Sequence, residues 1–531
     1  MDIARYSTLE KVDPWMLKLA AISTLVLGAI YIYFRVSYSY WKKRGIPTLK
    51  TKAPFGDYGN GLFLKKGLQQ QITELYKRFE GHSVGGLYRF NKPSLMIRDP
   101  DIIKDILVKD FDHFYSRGFT VNEKMEPLQG HLFALSGTKW RNLRVKMTPT
   151  FTSGKMKMMF GTLVECGKEL ETVLQEPAKN GEVIEIKDLL ARYTTDIIAS
   201  CAFGVQCNCM RNPDAEFRTW GRKILQPSFK LFALRVLEFW IPFVSKIFRT
   251  TFIPKDVSNY FRKMVKETVE YRENNNVQRN DFMQLMIQMK NKTLGASEGE
   301  KHSDEKADLD NLKSNTPFEV TMDVIAAQAF VFFVAGYETS STTMTFCLYE
   351  LALNPDIQNR VREEIDAVLG KHGGNITYES ILEMEYLDKV VSETLRKYPP
   401  VIVITRKCTK PAKLRGTDAT VEKGTPVFLP VMAIHHDPKY YPNPEKFDPE
   451  RFSEEEKSKR PHFSYLPFGE GPRLCIGMRF GLMQTKVGLV NLLSKYEVSV
   501  SEKTSVPLVL DQKSFILSPK GGMWLKIVNR A

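Results

Sequence analysis

Cys475 is the residue of this chain best set to do chemistry. It lies in Phe468-Gly469-Glu470-Gly471-Pro472-Arg473-Leu474-Cys475-Ile476-Gly477. Gly469, Gly471 and Gly477 let the backbone turn tightly, so that amide N–H groups can point at the sulfur. An apolar helical pattern starts at Met478, and the positive end of such a helix lowers a thiol's pKa. Both effects favour an ionised sulfur, the form that ligates a metal. A glycine-rich turn around a buried cysteine is the plainer alternative. Cys207 and Cys209 form a C-x-C pair without a second pair or histidines at zinc spacing, so they read as ordinary thiols. Cys166, Cys201 and Cys347 read as small core residues.

Three further patterns carry polar groups at helical spacing. Ala335-Gly336-Tyr337-Glu338-Thr339-Ser340 interrupts the apolar run Val324–Leu348. An acid in so apolar a helix needs a reason, although a polar stripe facing solvent would explain a lone Glu-Thr pair. Thr339 can bond back to the carbonyl of Ala335 and open a groove in the helix. Trp140 and Arg144 fall at i and i+4 on one helix face. Glu393 and Arg396 stand one turn apart, which alone suggests a solvated ion pair contributing little. Pro449-Glu450-Arg451-Phe452 follows downstream.

The elements that position these residues are mostly amphipathic helices, with β-like runs near Gly86–Ile97, Thr425–Leu429 and the C-terminus. The 531 residues contain 43% hydrophobic and 26% charged residues, which argues against general disorder. With 76 Lys+Arg against 61 Asp+Glu the net charge is +15. No nucleic-acid motif accompanies it, so anionic lipid and an acidic protein are the expected partners. Seven cysteines at irregular spacings suit a reducing compartment rather than a disulfide framework. From Trp15 to Phe34 the chain is apolar except for Lys18, long enough to span a bilayer. It ends in Tyr31, Tyr33 and Phe34, followed by Arg35, Lys42, Lys43, Arg44, Lys50 and Lys52. By the positive-inside rule the body then faces the cytosol. The expected organisation is a lumenal segment 1–14, an anchor 15–35, a basic Pro/Gly linker 36–60 and a catalytic domain 61–531. Asn291–Ser314 is expected to be an exposed loop. Two readings stand for Leu231–Phe248: a buried helix and loop, or a second membrane contact.

Taken together, these motifs resemble the cytochrome P-450 superfamily, microsomal type, along nearly the whole chain. The cysteine segment matches F-x-x-G-x-R-x-C-x-G at each constrained position. Ala326-Ala327-Gln328-Ala329-Phe330-Val331-Phe332-Phe333 and Pro149-Thr150-Phe151-Thr152-Ser153-Gly154-Lys155 resemble insect detoxification members (insect family six) and vertebrate drug-metabolising relatives. The resemblance implies a fold that is mainly α with a small β lobe, behind an N-terminal transmembrane helix. It implies haem b held by Cys475 as iron ligand, with Phe468, Gly469 and Gly477 shaping the loop and Trp140, Arg144, Arg406 and Arg473 on the propionates. A thiolate ligand pushes electron density onto the iron and favours O–O cleavage. Thr339 and Glu338 are the implied catalytic residues, supplying protons to bound oxygen. Glu393, Arg396 and Arg451 form an implied structural triad. Phe119, Val334, Ala335, Val401, Ile404 and Phe515 are the implied substrate-lining residues; all but Ala335 are bulky and apolar, which suits lipophilic small molecules.

The chain carries no nucleotide, flavin or iron–sulfur motif, so electrons must come from another protein. The resemblance implies NADPH–cytochrome P-450 reductase, NADPH acting indirectly, with cytochrome b5 as a second candidate. Lys139, Arg141, Lys146, Arg479 and Lys486 are the expected docking charges. The implied activity is NADPH- and O2-dependent monooxygenation at the endoplasmic reticulum membrane, directed at xenobiotics, insecticides or plant compounds. Endogenous hormone or fatty-acid hydroxylation is an alternative. A haem-thiolate isomerase or dehydratase, or a haem sensor, is a different class that the Glu338-Thr339 pair argues against.

Overall fold

The computed structural model describes residues 13–58, 67–225, 251, 253–291, 319–512, 514 and 516–530. The segment Leu231–Phe248, residues 292–314 and Phe515 lie outside them.

Helix α1 (Pro14–Ser37) opens on a proline, whose fixed φ suits the first helical turn. Its apolar side chains stay exposed all round, Leu25 at 74%. Such a helix needs an apolar solvent, and 24 residues give about 36 Å, enough for the hydrocarbon core.

The stretch expected to be a linker is packed instead. Trp41 is fully buried; its backbone N–H donates to Tyr88 Oη (3.0 Å) and its indole N–H to Leu87 O (3.3 Å). Tyr88 Oη donates to Tyr38 O at 2.9 Å, and Thr48 pairs with Gly86. A Cβ on Gly86 would stand 2.5 Å from the Trp41 ring, so this glycine makes room for the indole. The packing of the body therefore reaches back to Trp41. The basic and Pro/Gly-containing composition hid one large apolar anchor that cannot be left in water.

Strands β1 (Val84–Arg89) and β2 (Lys92–Ile97) form a hairpin. The helical body runs through α2 (Gly137–Met147), α3 (Ser153–Asn180), the short strand β3 (Val183–Glu185), α4 (Ile186–Ile198), α5 (Lys255–Asn274), α6 (Met322–Leu353) and α7 (Glu385–Lys397). Strands β4 (Ile404–Lys407) and β5 (Pro426–Leu429) follow, then α8 (Met478–Leu493), β6 (Tyr496–Val500) and β7 (Trp524–Asn529). The larger sheet has the order β1-β2-β5-β4, with β2 and β5 parallel at Leu95↔Val427. The smaller has the order β3-β7-β6. Each β-like run of the sequence falls on a strand.

One apolar core spans the helices, and a second gathers the larger sheet around Trp41. This is the expected architecture, mainly α with a β lobe. Helix α6 is apolar and long enough to cross a membrane, but half of that span is buried within the body. It packs against α4, α5 and α8, which makes it the central strut of the site.

Candidate active site

The cysteine loop is closed by hydrogen bonds from Cys475 N to Phe468 O (3.0 Å) and from Leu474 N to Gly471 O (2.8 Å). Gly471 has φ +70, and a Cβ there would stand 2.1 Å from the Leu107 carbonyl oxygen, so only glycine fits. Gly477 differs from expectation: its φ is −90 and a Cβ would meet open space. Its contribution is its N–H, which reaches the Cys475 sulfur, and its place as the cap of α8, which starts at Met478. Cys475 keeps exposed surface although protein surrounds its thiol closely. Burial pushes the thiol up, while the Gly477 N–H and the charges of Arg117 and Arg144 pull it down.

Three buried arginines, Arg144, Arg406 and Arg473, and one half-buried arginine surround this loop. Arg144 donates to Leu474 O (3.0 Å). Arg473 donates to Tyr115 O (2.9 Å) and Leu135 O (2.8 Å), and its guanidinium lies 4.0 Å from the Trp140 ring centroid. Arg406 on β4 is 2% exposed. The fourth, Arg117, was missed by sequence reasoning, because it sits in an irregular loop with no motif spacing. Its Nη1 donates to Phe133 O (3.0 Å) and its Nη2 to Arg473 O (3.2 Å). Burial and the neighbouring guanidiniums push these groups down: Arg406 to about 9, Arg473 well below its ordinary value. Burial, opposed by Cys475, brings Arg117 to about 10. Arg406 Nε and Arg473 Nη1 are buried without a hydrogen-bond partner among the described residues. Like charges crowded in a dry interior, with donors left over, demand an anion of matching size. Two carboxylates bound bidentately meet that demand, so the residues fit a haem with two propionates beside a thiolate.

On α6, Thr339 Oγ1 donates to Ala335 O at 2.6 Å, the back-bond expected from the spacing. Glu338, nine-tenths buried, pairs with Lys187 of α4, Nζ to Oε1 2.9 Å. Lys187 also donates to Ser518 Oγ (2.8 Å). No spacing in the sequence announces this partner, which lies 151 residues away.

Of the residues expected to line a substrate cavity, Phe119 and Val401 expose 45% and 39%, and Ile404 lies beside the cysteine loop, 3.7 Å from a Cβ built on Gly469. Phe119 packs on Phe133 with centroids 5.5 Å apart. The loop carrying Phe133 is clamped to α6 by buried Gln328, which accepts from Leu132 N (2.9 Å) and donates to Gly130 O (3.0 Å). Val334 and Ala335 follow Gln328 by nearly two turns of α6.

The structure brings Glu393, Arg396 and Arg451 together. Arg396 donates to both oxygens of Glu393 (2.7 and 2.9 Å), and Arg451 Nε lies 3.5 Å from Glu393 Oε1. Arg396 and Glu393 are fully buried, and Arg396 also donates to His435 O and Pro444 O.

The expected docking charges separate into two groups. Lys139, Lys146 and Arg479 are exposed, Lys139 pairing with Glu123 at 2.7 Å, and Arg141 is half-buried. Lys486 is 5% exposed, pairs with Asp388 (2.5 Å) and donates to Ile381 O (3.2 Å). It cannot meet a partner, because α8 turns that face into the core.

Residues 50–525 match the family model described as cytochrome P450. Cytochrome P450 6k1 of Blattella germanica is 43% identical over 512 residues, covering 96% of each chain. Probable cytochrome P450 6a14 of Drosophila melanogaster is 43% identical over 518 residues, covering 96% of this chain and 99% of that one.

Proposed function

The chain belongs to the cytochrome P450 family, grouping with its insect family-six members, and from that premise we propose an NADPH- and dioxygen-dependent monooxygenase acting on lipophilic compounds. Xenobiotics such as insecticides and plant compounds are the proposed substrates. A separate reductase delivers the electrons, with cytochrome b5 as an auxiliary donor. Helix α1 anchors the protein in the endoplasmic reticulum membrane, with residues 1–14 in the lumen and the body in the cytosol.

The observation that carries the reading is the set of four arginines around Cys475, three of them buried, two with donors unpartnered among the described residues. Bound haem supplies the redox chemistry, in which one oxygen atom enters the substrate and the other leaves as water. Cys475 Sγ holds the iron, its charge supported by the Gly477 N–H and by Arg117 and Arg144. Arg117, Arg144, Arg406 and Arg473 hold the propionates, with Trp140 stacked beneath Arg473. Thr339 Oγ1, anchored on Ala335 O, presents a hydroxyl that hands over protons. Glu338, held by Lys187, replenishes them from the Ser518 side. Phe119, Val334, Ala335, Val401 and Ile404 exclude water and bind apolar surface, and Phe515, outside the described residues, completes the proposed set. Glu393, Arg396 and Arg451 serve folding and haem retention.

The test is reductase-dependent NADPH consumption with product formation over a panel of lipophilic compounds. Substrate-dependent product in the presence of reductase supports the reading. Product formed from a peroxide substrate without reductase, or pigment binding without turnover, would replace it by an isomerase or a sensor.

A further inference from the structure

Five consecutive carbonyl oxygens of α6, Ala335 to Thr339, each accept a side-chain hydrogen bond, the last from Thr343 Oγ1 (2.9 Å). Thr339 Oγ1 donates to Ala335 O (2.6 Å), Gln484 Nε2 to Gly336 O (3.3 Å), Thr194 Oγ1 to Tyr337 O (2.8 Å) and Ser341 Oγ to Glu338 O (3.1 Å). Two of these donors come from other helices: Thr194 from α4 and Gln484 from α8. Both are fully buried.

Gln484 is an expensive choice for a core position. Its Oε1 is buried without a partner among the described residues, and an apolar side chain of equal size would avoid that loss. The orientation of the amide follows from its neighbour, since a carbonyl oxygen can be met only by the nitrogen. The helices also meet closely here. A Cβ on Gly336 would stand 2.5 Å from Ile198 of α4, and one on Gly481 would stand 3.7 Å from Ser340 Oγ. A carbonyl drawn towards an outside donor tilts away from the helix axis, and such a tilt would open a groove beside Thr339.

We propose that Gln484, assisted by Thr194, is a positioning residue for oxygen activation. It ties the helix that follows Cys475 to the Gly336 carbonyl, so the ligand side and the oxygen side are held in one register. This rests on the monooxygenase reading above and adds two fully buried residues that act through the α6 backbone. Neither carries a motif in the sequence.

The experiment uses the full-length holoenzyme and its Gln484→Met variant, which keeps the side-chain length and removes both the donor and the orphaned oxygen. Thr194→Val is the second variant. Two readouts are taken: peroxide released per product with reductase present, and hydrogen exchange of backbone amides 334–342. Thermal stability is expected to hold or rise in Gln484→Met, because the unsatisfied oxygen is gone. Peroxide per product is expected to rise ~3- to 10-fold, in line with one lost hydrogen bond. Exchange over 334–342 is expected to quicken while that of other helices stays unchanged. Unchanged exchange over 334–342 overturns the proposal whatever the parent's activity. So does an unchanged peroxide-to-product ratio in a parent that turns over. A parent lacking reductase-dependent product defeats the function instead, and exchange still decides whether Gln484 holds the groove.

Discussion

Lys187 Nζ lies 2.9 Å from Glu338 Oε1, joining α4 to the acid that precedes Thr339. Both side chains are largely withdrawn from water, at 20% and 12% exposure, so neither is free to leave its partner without cost. Replacing Lys187 by Met strands the carboxylate and is expected to lower stability by about 2 kcal/mol. Product formed per NADPH should fall as well, while Lys187→Arg retains most of both. Denaturant titration and product-to-NADPH ratios check this; equal coupling in Lys187→Met would remove Glu338 from the proton path.

Cys475→Ser keeps the loop's shape and removes the thiolate. Turnover should drop by roughly three orders of magnitude, since the sulfur's electron donation has no substitute. Absorption of the reduced, carbon-monoxide-treated protein should move to that of a pigment lacking sulfur ligation. Retained turnover in this variant would end the haem-thiolate account.

The arginine cluster makes a prediction with opposite signs in two states. Without haem, burial and then Arg117, Arg406 and Arg144 act against the charge of Arg473. Arg406→Leu should therefore stabilise the haem-free protein by about 1 kcal/mol, through relief of like-charge repulsion and loss of an unpartnered donor. The same change should speed haem transfer to a scavenger protein by about tenfold, from the loss of a charge-assisted bond. Denaturation of the haem-free form and transfer kinetics of the loaded form measure the two separately.

Acid should unfold the protein partly through His435. Burial, then the charges of His436 and Arg396, push this imidazole down to about 3. Its Nε2 accepts from Leu466 N (2.9 Å), just before the cysteine loop, while Nδ1 meets Arg396 O (3.1 Å). The unfolded chain takes up its proton near pH 6.5, which the folded chain refuses until about 3. Stability is thus full above 6.5 and declines as pH falls below it, by up to about 1.4 kcal/mol per unit from this one group. His435→Gln preserves an acceptor for Leu466 and should flatten the decline by one proton; an unaltered slope between pH 6.5 and 4 would contradict the assignment.

Reductase-supported turnover should fall with rising salt, as screening weakens the encounter between basic and acidic faces. Lys146→Ala and Arg479→Ala should each slow the reaction by about threefold at low salt. Lys486→Ala should leave the salt response intact and lower the melting temperature, because its ammonium is internal and paired with Asp388.

Local spacing made part of the site legible. The back-bond of Thr339, the start of α8 at Met478 and the pairing of Glu393 with Arg396 each depend on residues at most four apart in a helix or loop. Arg117, Lys187 and Gln484 were illegible for the opposite reason: their partners lie far along the chain, on other elements. Lys486 was misread because its neighbours in sequence are surface-like, whereas its face of α8 packs inward. Trp41 was hidden by a composition that suits a tether.

The amino-acid sequence alone determined the cysteine loop, the long N-terminal apolar helix, the helical class and the family, because each is written in short-range patterns of residue type. Tertiary packing decided which charges are dry and which are wet, and so which arginines must meet an anion and which lysines can meet a partner. Desolvation is a property of the assembled interior, where a buried ion's free energy is set by neighbours that folding brings together. No window of sequence contains those neighbours.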